Sequence, residues 1–162
     1  MMEETGKFRP MRRFRQEVPE DACLELLRTA QRGVLSLSGD DGYPYGVPMN
    51  FHYAQGKIYF HGARAGHKID ALRRCDKASF CVLSEALRNP GEWWNCFTSV
   101  ICFGRIREVT DEAERTALLR ALWEKYFPEG YDIAGDLRKN GPQAAVLEFT
   151  IEHLSGKRVR EK

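Results

Sequence analysis

The stretch Gly33-Val-Leu-Ser-Leu-Ser-Gly-Asp-Asp-Gly-Tyr-Pro-Tyr-Gly-Val-Pro-Met-Asn-Phe-His-Tyr-Ala-Gln-Gly-Lys-Ile-Tyr-Phe-His61 decides the fold, because it holds three strand patterns separated by two turn signals. Residues 33–38 and 45–53 flank Asp40-Asp-Gly42 and read as a hairpin. Gln55-Gly56 then turns the chain into a third strand, 57–61. Alternation along 45–53 sets Tyr45, Val47, Met49, Phe51 and Tyr53 on one face, suited to a core, and Gly46, Pro48, Asn50 and His52 on the other. Pro48 cannot donate a ladder hydrogen bond, so this part of the strand should border a ligand or a sheet edge.

Immediately downstream, Tyr59-Phe-His-Gly-Ala-Arg-Ala-Gly-His-Lys-Ile-Asp-Ala-Leu72 runs from a strand through a glycine-flanked loop into a short helix with His67 and Lys68 at its start. Unsatisfied amides and the positive end of the helix dipole favour an anion there, and the lysine adds a full charge. A nucleotide P-loop would need four residues between its glycines followed by Gly-Lys-Ser/Thr. Here three residues separate Gly62 from Gly66, His67 precedes Lys68, and Ile69 offers no hydroxyl to a metal ion. A single terminal phosphate fits better than a triphosphate. Taken alone, the same segment also reads as a tight turn followed by a solvated lysine.

Around this centre, residues 19–30 read as an amphipathic helix with Pro19 suited to its first turn, 78–84 as a fourth strand and 85–92 as a loop. Residues 94–109 are long enough for one extended strand, bent at Gly104. Asp111 and Glu114 stand at capping-box spacing before an apolar stripe of Leu118, Leu119, Leu122, Trp123 and Tyr126, which Pro128 ends. A turn or helix over 131–139 and a last strand over 144–153 complete the pattern. Six strands in meander order with interspersed helices predict a mainly β protein with flanking helices, built on a small antiparallel barrel. The organisation expected is a basic arm at 1–17, one domain at 18–157 and a tail at 158–162.

Composition narrows the function. In a chain of 162 residues, 43% hydrophobic residues suit one compact core but not a separate deep cleft, so an extensive site would need a second subunit. A net charge of +2 argues against nucleic-acid binding driven by overall charge, and the run Lys7, Arg9, Arg12, Arg13 and Arg15 reads as a solvated or partner-clasping arm. No signal peptide or membrane span is legible, so a cytoplasmic protein is expected. The five cysteines, Cys23, Cys75, Cys81, Cys96 and Cys102, lack C-x-x-C spacing and read as buried thiols, with no metal site expected.

Three motifs taken together, Gly42-Tyr-Pro-Tyr-Gly-Val-Pro-Met-Asn-Phe51, Tyr59-Phe-His-Gly-Ala-Arg-Ala-Gly-His-Lys68 and Ser99-Val-Ile-Cys-Phe-Gly-Arg-Ile106, resemble the pyridoxamine 5′-phosphate oxidase-related, FMN-binding split-barrel family, and within it the nitroimidazole-resistance (Nim) group. Met11-Arg-Arg, Asp76-Lys-Ala-Ser-Phe-Cys81 and Leu154-Ser-Gly-Lys157 extend the resemblance over nearly all of residues 11–157. It implies a six-stranded antiparallel split β-barrel forming a homodimer, with FMN in grooves at the subunit interface. By that resemblance His61, Gly62, Ala63, Gly66, His67 and Lys68 hold the phosphate and ribityl chain. Pro48, Met49, Asn50 and Phe51 lie along the isoalloxazine, and Ser99 comes from the following strand or the partner. The chain lacks the arginine-rich phosphate signature and C-terminal substrate segment of the pyridoxamine-phosphate oxidases proper, which argues against a B6 vitamer as substrate. Trp93 and Trp94 stand where the Nim pattern is less bulky, as a lid from the partner subunit or as interface packing.

The function implied is an FMN-dependent reductase passing electrons from NAD(P)H or another donor to a small planar acceptor such as a nitroaromatic or quinone. Without a Gly-x-Gly-x-x-Gly segment, a nicotinamide would dock transiently on the flavin. His61 is the candidate proton donor, and a hydrogen-bonding role is its competitor. Two other readings are a flavin-binding storage or sensing protein with little turnover, and a haem-binding or haem-degrading split barrel using His52 or His61.

Overall fold

The structure, a computed structural model, describes residues 7–161, so the first six residues of the expected arm lie outside the described residues. A 3₁₀ turn at Phe14–Gln16 leads into β1 (Glu17–Val18) and α1 (Glu20–Thr29). The chain then forms β2 (Arg32–Ser38), β3 (Pro44–Asn50), β4 (His52–Ala54), β5 (Lys57–Ala63) and α2 (His67–Arg74). It continues through β6 (Lys77–Leu83), β7 (Cys96–Glu108), α3 (Glu112–Tyr126), α4 (Ile133–Asn140) and β8 (Ala144–Arg160). The strands form one antiparallel sheet in the order β3-β2-β6-β7-β8-β5-β4, with β1 paired to β8. The sheet curls until β3 comes close to β5, but no ladder joins them. That open seam is the split in the barrel.

Among the described residues eight strands stand where six are expected, for two physical reasons. Phe51 interrupts the long second strand: its amide donates to Tyr126 Oη at 2.8 Å instead of joining a ladder, so β3 ends at Asn50 and β4 begins at His52. The last strand runs past residue 153 to Arg160, because β7 offers it a partner as far as Cys96, and β1 pairs alongside at Lys157 and Gly156. Residues 158–160, expected as tail, are its final ladder positions.

Period-two burial fills the barrel with Leu35, Phe51, Ile58, Phe60, Phe80, Val82, Val100, Cys102, Leu147 and Phe149, all essentially inaccessible. Phe80 meets both Phe51 and Phe60 edge-on at centroid distances of 4.9 and 5.0 Å. Gly104 sits at a register shift in the β7–β8 ladder, where a Cβ would lie 2.0 Å from the Thr150 carbonyl, so the bend expected there has a packing cause. Outside the barrel, Val109, Leu119, Trp123, Leu137 and Val146 form a second cluster that holds α3 and α4 on the sheet. Asp111 caps α3 by accepting from Glu114 N at 2.7 Å, as its spacing predicts. Buried Arg115 ties α3 to the carbonyls of Gly141 and Ala144.

Candidate functional site

At the open seam, β5 ends in His61, Gly62 and Ala63, and a three-residue connection leads to α2. Gly66 is the N-cap with φ of 112°, a conformation glycine adopts without steric penalty. It carries no capping side chain, so the amides of the first turn of α2 receive no side-chain partner from it, and His67 and Lys68 follow directly. Lys68 turns its amine back over the end of β5. A Cβ on Gly62 would lie 2.6 Å from Lys68 Nζ, so Gly62 leaves the space the amine occupies.

Lys68 Nζ has one polar neighbour, the Met49 sulfur of β3 at 3.8 Å, a weak acceptor. Among the described residues no carboxylate pairs with it. Burial pushes its pKa below the ordinary lysine value, with no acid to offset the cost. An incoming anion would supply what the amine lacks.

The neighbouring histidines are placed differently. His67 stacks on Tyr45 at 4.0 Å between centroids, and its Nε2 lies 3.6 Å from Asp40 Oδ2, itself held by Arg74 at 2.6 Å. The imidazole therefore braces the helix start against the turn before β3, and the residue's backbone is what the loop can offer an anion. His61 is half-buried; burial first, and then the Lys68 charge, lower its pKa, so the neutral ring predominates at pH 7. It also opens on the face of β5 opposite Gly62.

The expected ring-binding segment divides in two. Pro48 is exposed and Asn50 partly exposed along the unpaired edge of β3, open to a ligand. Met49 is 7% exposed and reaches the site through its sulfur. Phe51 is fully buried, and both its backbone groups are occupied: its carbonyl accepts from Tyr126 Oη at 2.8 Å and Lys125 Nζ at 3.0 Å. It holds Asn50 in place but has no free group for a ligand.

Ser99, Trp93 and Trp94 are not brought to the loop within one chain. Ser99 pairs with Lys157, whereas His61 pairs with Val146, eleven positions earlier on β8 and roughly 35 Å away along the strand. Trp93 and Trp94 pack edge-on at 5.6 Å just before β7, at that same far end. His153 stacks with Phe8 at 4.8 Å.

Sequence reasoning missed Lys125 and treated Tyr126 only as part of an apolar stripe. Lys125 Nζ donates to the Ala30 and Phe51 carbonyls at 2.7 and 3.0 Å and lies 4.2 Å from the Phe51 ring centroid. Burial pushes its pKa down to about 8. The signal was available, since Lys125 falls beside the core-facing stripe of α3. Among the described residues no group of three or more His, Cys, Asp or Glu is placed to hold a metal ion, and no helix is long and apolar enough to cross a membrane.

A sequence profile described as pyridoxamine 5′-phosphate oxidase matches residues 19–158, and the chain belongs to that family. Solved structures share its split-barrel fold. A candidate 5-nitroimidazole antibiotic resistance protein from Bacteroides thetaiotaomicron superposes with a TM-score of 0.77 at 18% identity, covering 89% of this chain and 87% of that one. An FAD-binding protein from Mesorhizobium loti gives 0.66 at 22%, covering 88% and 96%. An FAD and haem binding protein from Mycobacterium smegmatis gives 0.71 at 22%, covering 91% and 74%. No curated protein matches the sequence.

Proposed function

We propose that this protein binds FMN at the β5–α2 loop and works as a reductase, passing electrons from NAD(P)H or another donor to a small planar acceptor such as a nitroaromatic or a quinone. The observation that carries the reading is the Lys68 amine, half-buried without an acidic partner above the side-chain-free Gly62 and beside an uncapped helix start. A flavin 5′-phosphate fits this donor set: one ammonium, backbone amides and a cradle without a Cβ. Family membership and the flavin-binding neighbours support the same ligand class.

When bound, the flavin supplies the hydride and electron chemistry. The protein's residues bind and orient. Lys68 and the amides of the first turn anchor the phosphate, while the β3 edge at Pro48 and Asn50 borders the ring. His61, neutral at pH 7, serves better as a hydrogen-bonding group than as a stored proton. We assign it that role in preference to proton donation.

One chain supplies half of such a groove. The outward face of β2, β6 and β7 exposes Val34, Leu83, Ile101 and Phe103, each 40–57% accessible, on adjoining strands. A second copy docking there would cover this apolar surface and bring its own Ser99, Trp93 and Trp94 towards the loop, completing a homodimeric site. A cytoplasmic setting accords with this chemistry.

A second reading, haem binding alongside flavin, is favoured by the Mycobacterium smegmatis neighbour and by His52 and His61, both kept neutral by burial and so suited to ligate iron. One experiment separates these readings from a flavin store without turnover. The purified protein is scanned in the visible range, its cofactor is extracted and weighed by mass spectrometry, and NADPH or NADH is added without oxygen, followed by a nitroimidazole. Extracted FMN, bleaching, and recovery on adding the acceptor are expected. A Soret band would favour haem, a yellow protein that never bleaches would favour the store, and a colourless protein that takes up no FMN would overturn the proposal.

A further inference from the structure

Beside the open seam, Arg64, Ala65 and Gly66 join the end of β5 to the start of α2. A ligand that had to order such a connection on arrival would bind less tightly for it. Side chains hold the connection on both flanks instead. On the β8 flank, Arg64 Nε donates to the Pro142 carbonyl at 2.9 Å, 78 positions along the chain. Pro142 stands in a 3₁₀ turn, Gly141–Gln143, and the buried Arg115 of α3 donates to the carbonyls on either side of it, Gly141 at 2.6 Å and Ala144 at 2.8 Å. Arg115 is itself paired with Glu112, whose carboxylate also feels the Arg64 charge. The turn is thus pinned to α3 from one side and receives the loop from the other.

On the β3 flank, His67 opens α2 with its ring flat against Tyr45, 4.0 Å between centroids and 17° between planes. Its Nε2 lies 3.6 Å from one oxygen of Asp40, in the turn between β2 and β3. Arg74, the last residue of α2, donates to the other oxygen of Asp40 at 2.6 Å. Both ends of the helix are therefore tied to a single carboxylate across the seam.

We infer that Arg64 and His67 are positioning residues, which from opposite flanks hold the β5–α2 loop in its anion-receiving shape before the phosphate arrives. The inference rests on the flavin reading above and concerns how that site keeps its form. Lys68 makes the charged contact; Arg64 and His67 fix where the backbone that carries it stands. A loop held this way binds more tightly because less of it must be ordered on binding. The effect is confined to the phosphate end of the ligand, so it separates FMN from riboflavin, which has the same ring and no phosphate.

Fluorescence titration of the full chain with FMN, and separately with riboflavin, tests this. Wild type binds FMN more tightly than riboflavin, and the ratio of the two affinities measures the phosphate contact. Arg64→Met lowers that ratio about twofold to tenfold, as expected for one hydrogen bond lost from the brace. Arg64→Lys, which still offers a donor to the Pro142 carbonyl, recovers part of the loss. His67→Ala lowers the ratio as well, and His67→Phe, which keeps a ring on Tyr45, recovers part of it. Riboflavin affinity stays at the wild-type value throughout. Circular dichroism checks folding, and the Arg64 pair decides the matter should His67→Ala fail to fold. A wild-type ratio in Arg64→Met, no recovery in Arg64→Lys, or riboflavin affinity falling in step with that of FMN would reject the brace while leaving the flavin site standing. A wild-type chain with no preference for FMN over riboflavin would reject the phosphate site itself, and the brace with it.

Discussion

Lys68 and Lys125 are both half-buried lysines without a carboxylate partner, and burial lowers the pKa of both. Their surroundings differ in one respect. Lys125 donates to two main-chain carbonyls and covers an aromatic ring, so its charge is engaged by the fold and its loss would loosen three segments at once. Among the described residues Lys68 has only a thioether as its hydrogen-bonding neighbour. The first cation joins the end of α3 to the Phe51 break and to the residue after α1; the second remains available to a ligand. What their hydrogen atoms already touch commits the first charge to the fold and leaves the second for the ligand proposed above.

The sharpest way to break this contrast is the pair Lys68→Met and Lys125→Met. Lys68→Met should weaken FMN binding about tenfold to a hundredfold, the worth of a charge-assisted bond to phosphate, and leave the thermal midpoint undiminished. Lys125→Met should do the reverse, losing about 1–3 kcal/mol of stability because the Ala30 carbonyl loses its donor and the Phe51 carbonyl keeps only Tyr126 Oη, with a smaller change in affinity. Fluorescence titration and thermal melts read both. Equal effects of the two variants would erase the distinction.

Tyr126→Phe probes the other half of the clamp. Its hydroxyl accepts from Phe51 N and has one proton to give to either the Phe51 or the Gln31 carbonyl, 2.8 and 2.7 Å away, so the variant leaves a buried amide unsatisfied. A loss of about 1–3 kcal/mol is expected, lowering the midpoint by several degrees for a domain of this size.

Titration sharpens the comparison further. Lys125 has a folded pKa of about 8 against an ordinary unfolded value near 10.4. Below pH 8 it is charged in both states and the burial penalty applies in full. Between about 8 and 10.4 the unfolded chain holds more protons than the native one, so this residue's contribution raises stability as pH rises. Denaturant melts from pH 7.5 to 10 should therefore widen the margin by which Lys125→Met falls below wild type. A parallel pair of curves would contradict the assignment. FMN affinity should fall as the pH rises through the Lys68 pKa, which burial lowers from the ordinary lysine value, and stay flat in Lys68→Met, because only the ammonium form pairs with phosphate.

Two smaller effects test the geometry of the loop. Because the Lys68 charge helps depress the His61 pKa, an anion that neutralises it should let that pKa rise, visible by NMR titration with and without inorganic phosphate. Gly62→Ala should displace the flexible end of Lys68 and weaken FMN binding several-fold with little change in stability.

Much of the barrel was legible because burial in a sheet writes itself as period-two alternation: 45–53 and the strand through Gly104 announce their faces and their bend. The shape of the β5–α2 loop was legible for a related reason, since a strand, two glycines and a lysine at a helix start are neighbours in sequence and need no distant partner. The break at Phe51 was not, because a Tyr126 hydroxyl 75 residues away makes it. Nor was the extension of β8 to Arg160, since a strand continues as far as its neighbour offers hydrogen bonds.

By itself the sequence determined most of the strands, the turns at Asp40-Asp-Gly42 and Gln55-Gly56, and the glycine-flanked loop from His61 to Lys68 with its lysine at the helix start, all set by short-range sterics and hydrogen bonding. Only the tertiary structure decided that His67 braces Asp40 and Tyr45, that Phe51 belongs to the core, that Lys125 is spent on carbonyls while Lys68 is not, and that Ser99 and the tryptophans lie at the opposite end of the chain's longest strand. Those outcomes depend on which groups meet across the curled sheet, and local patterns carry no record of such meetings.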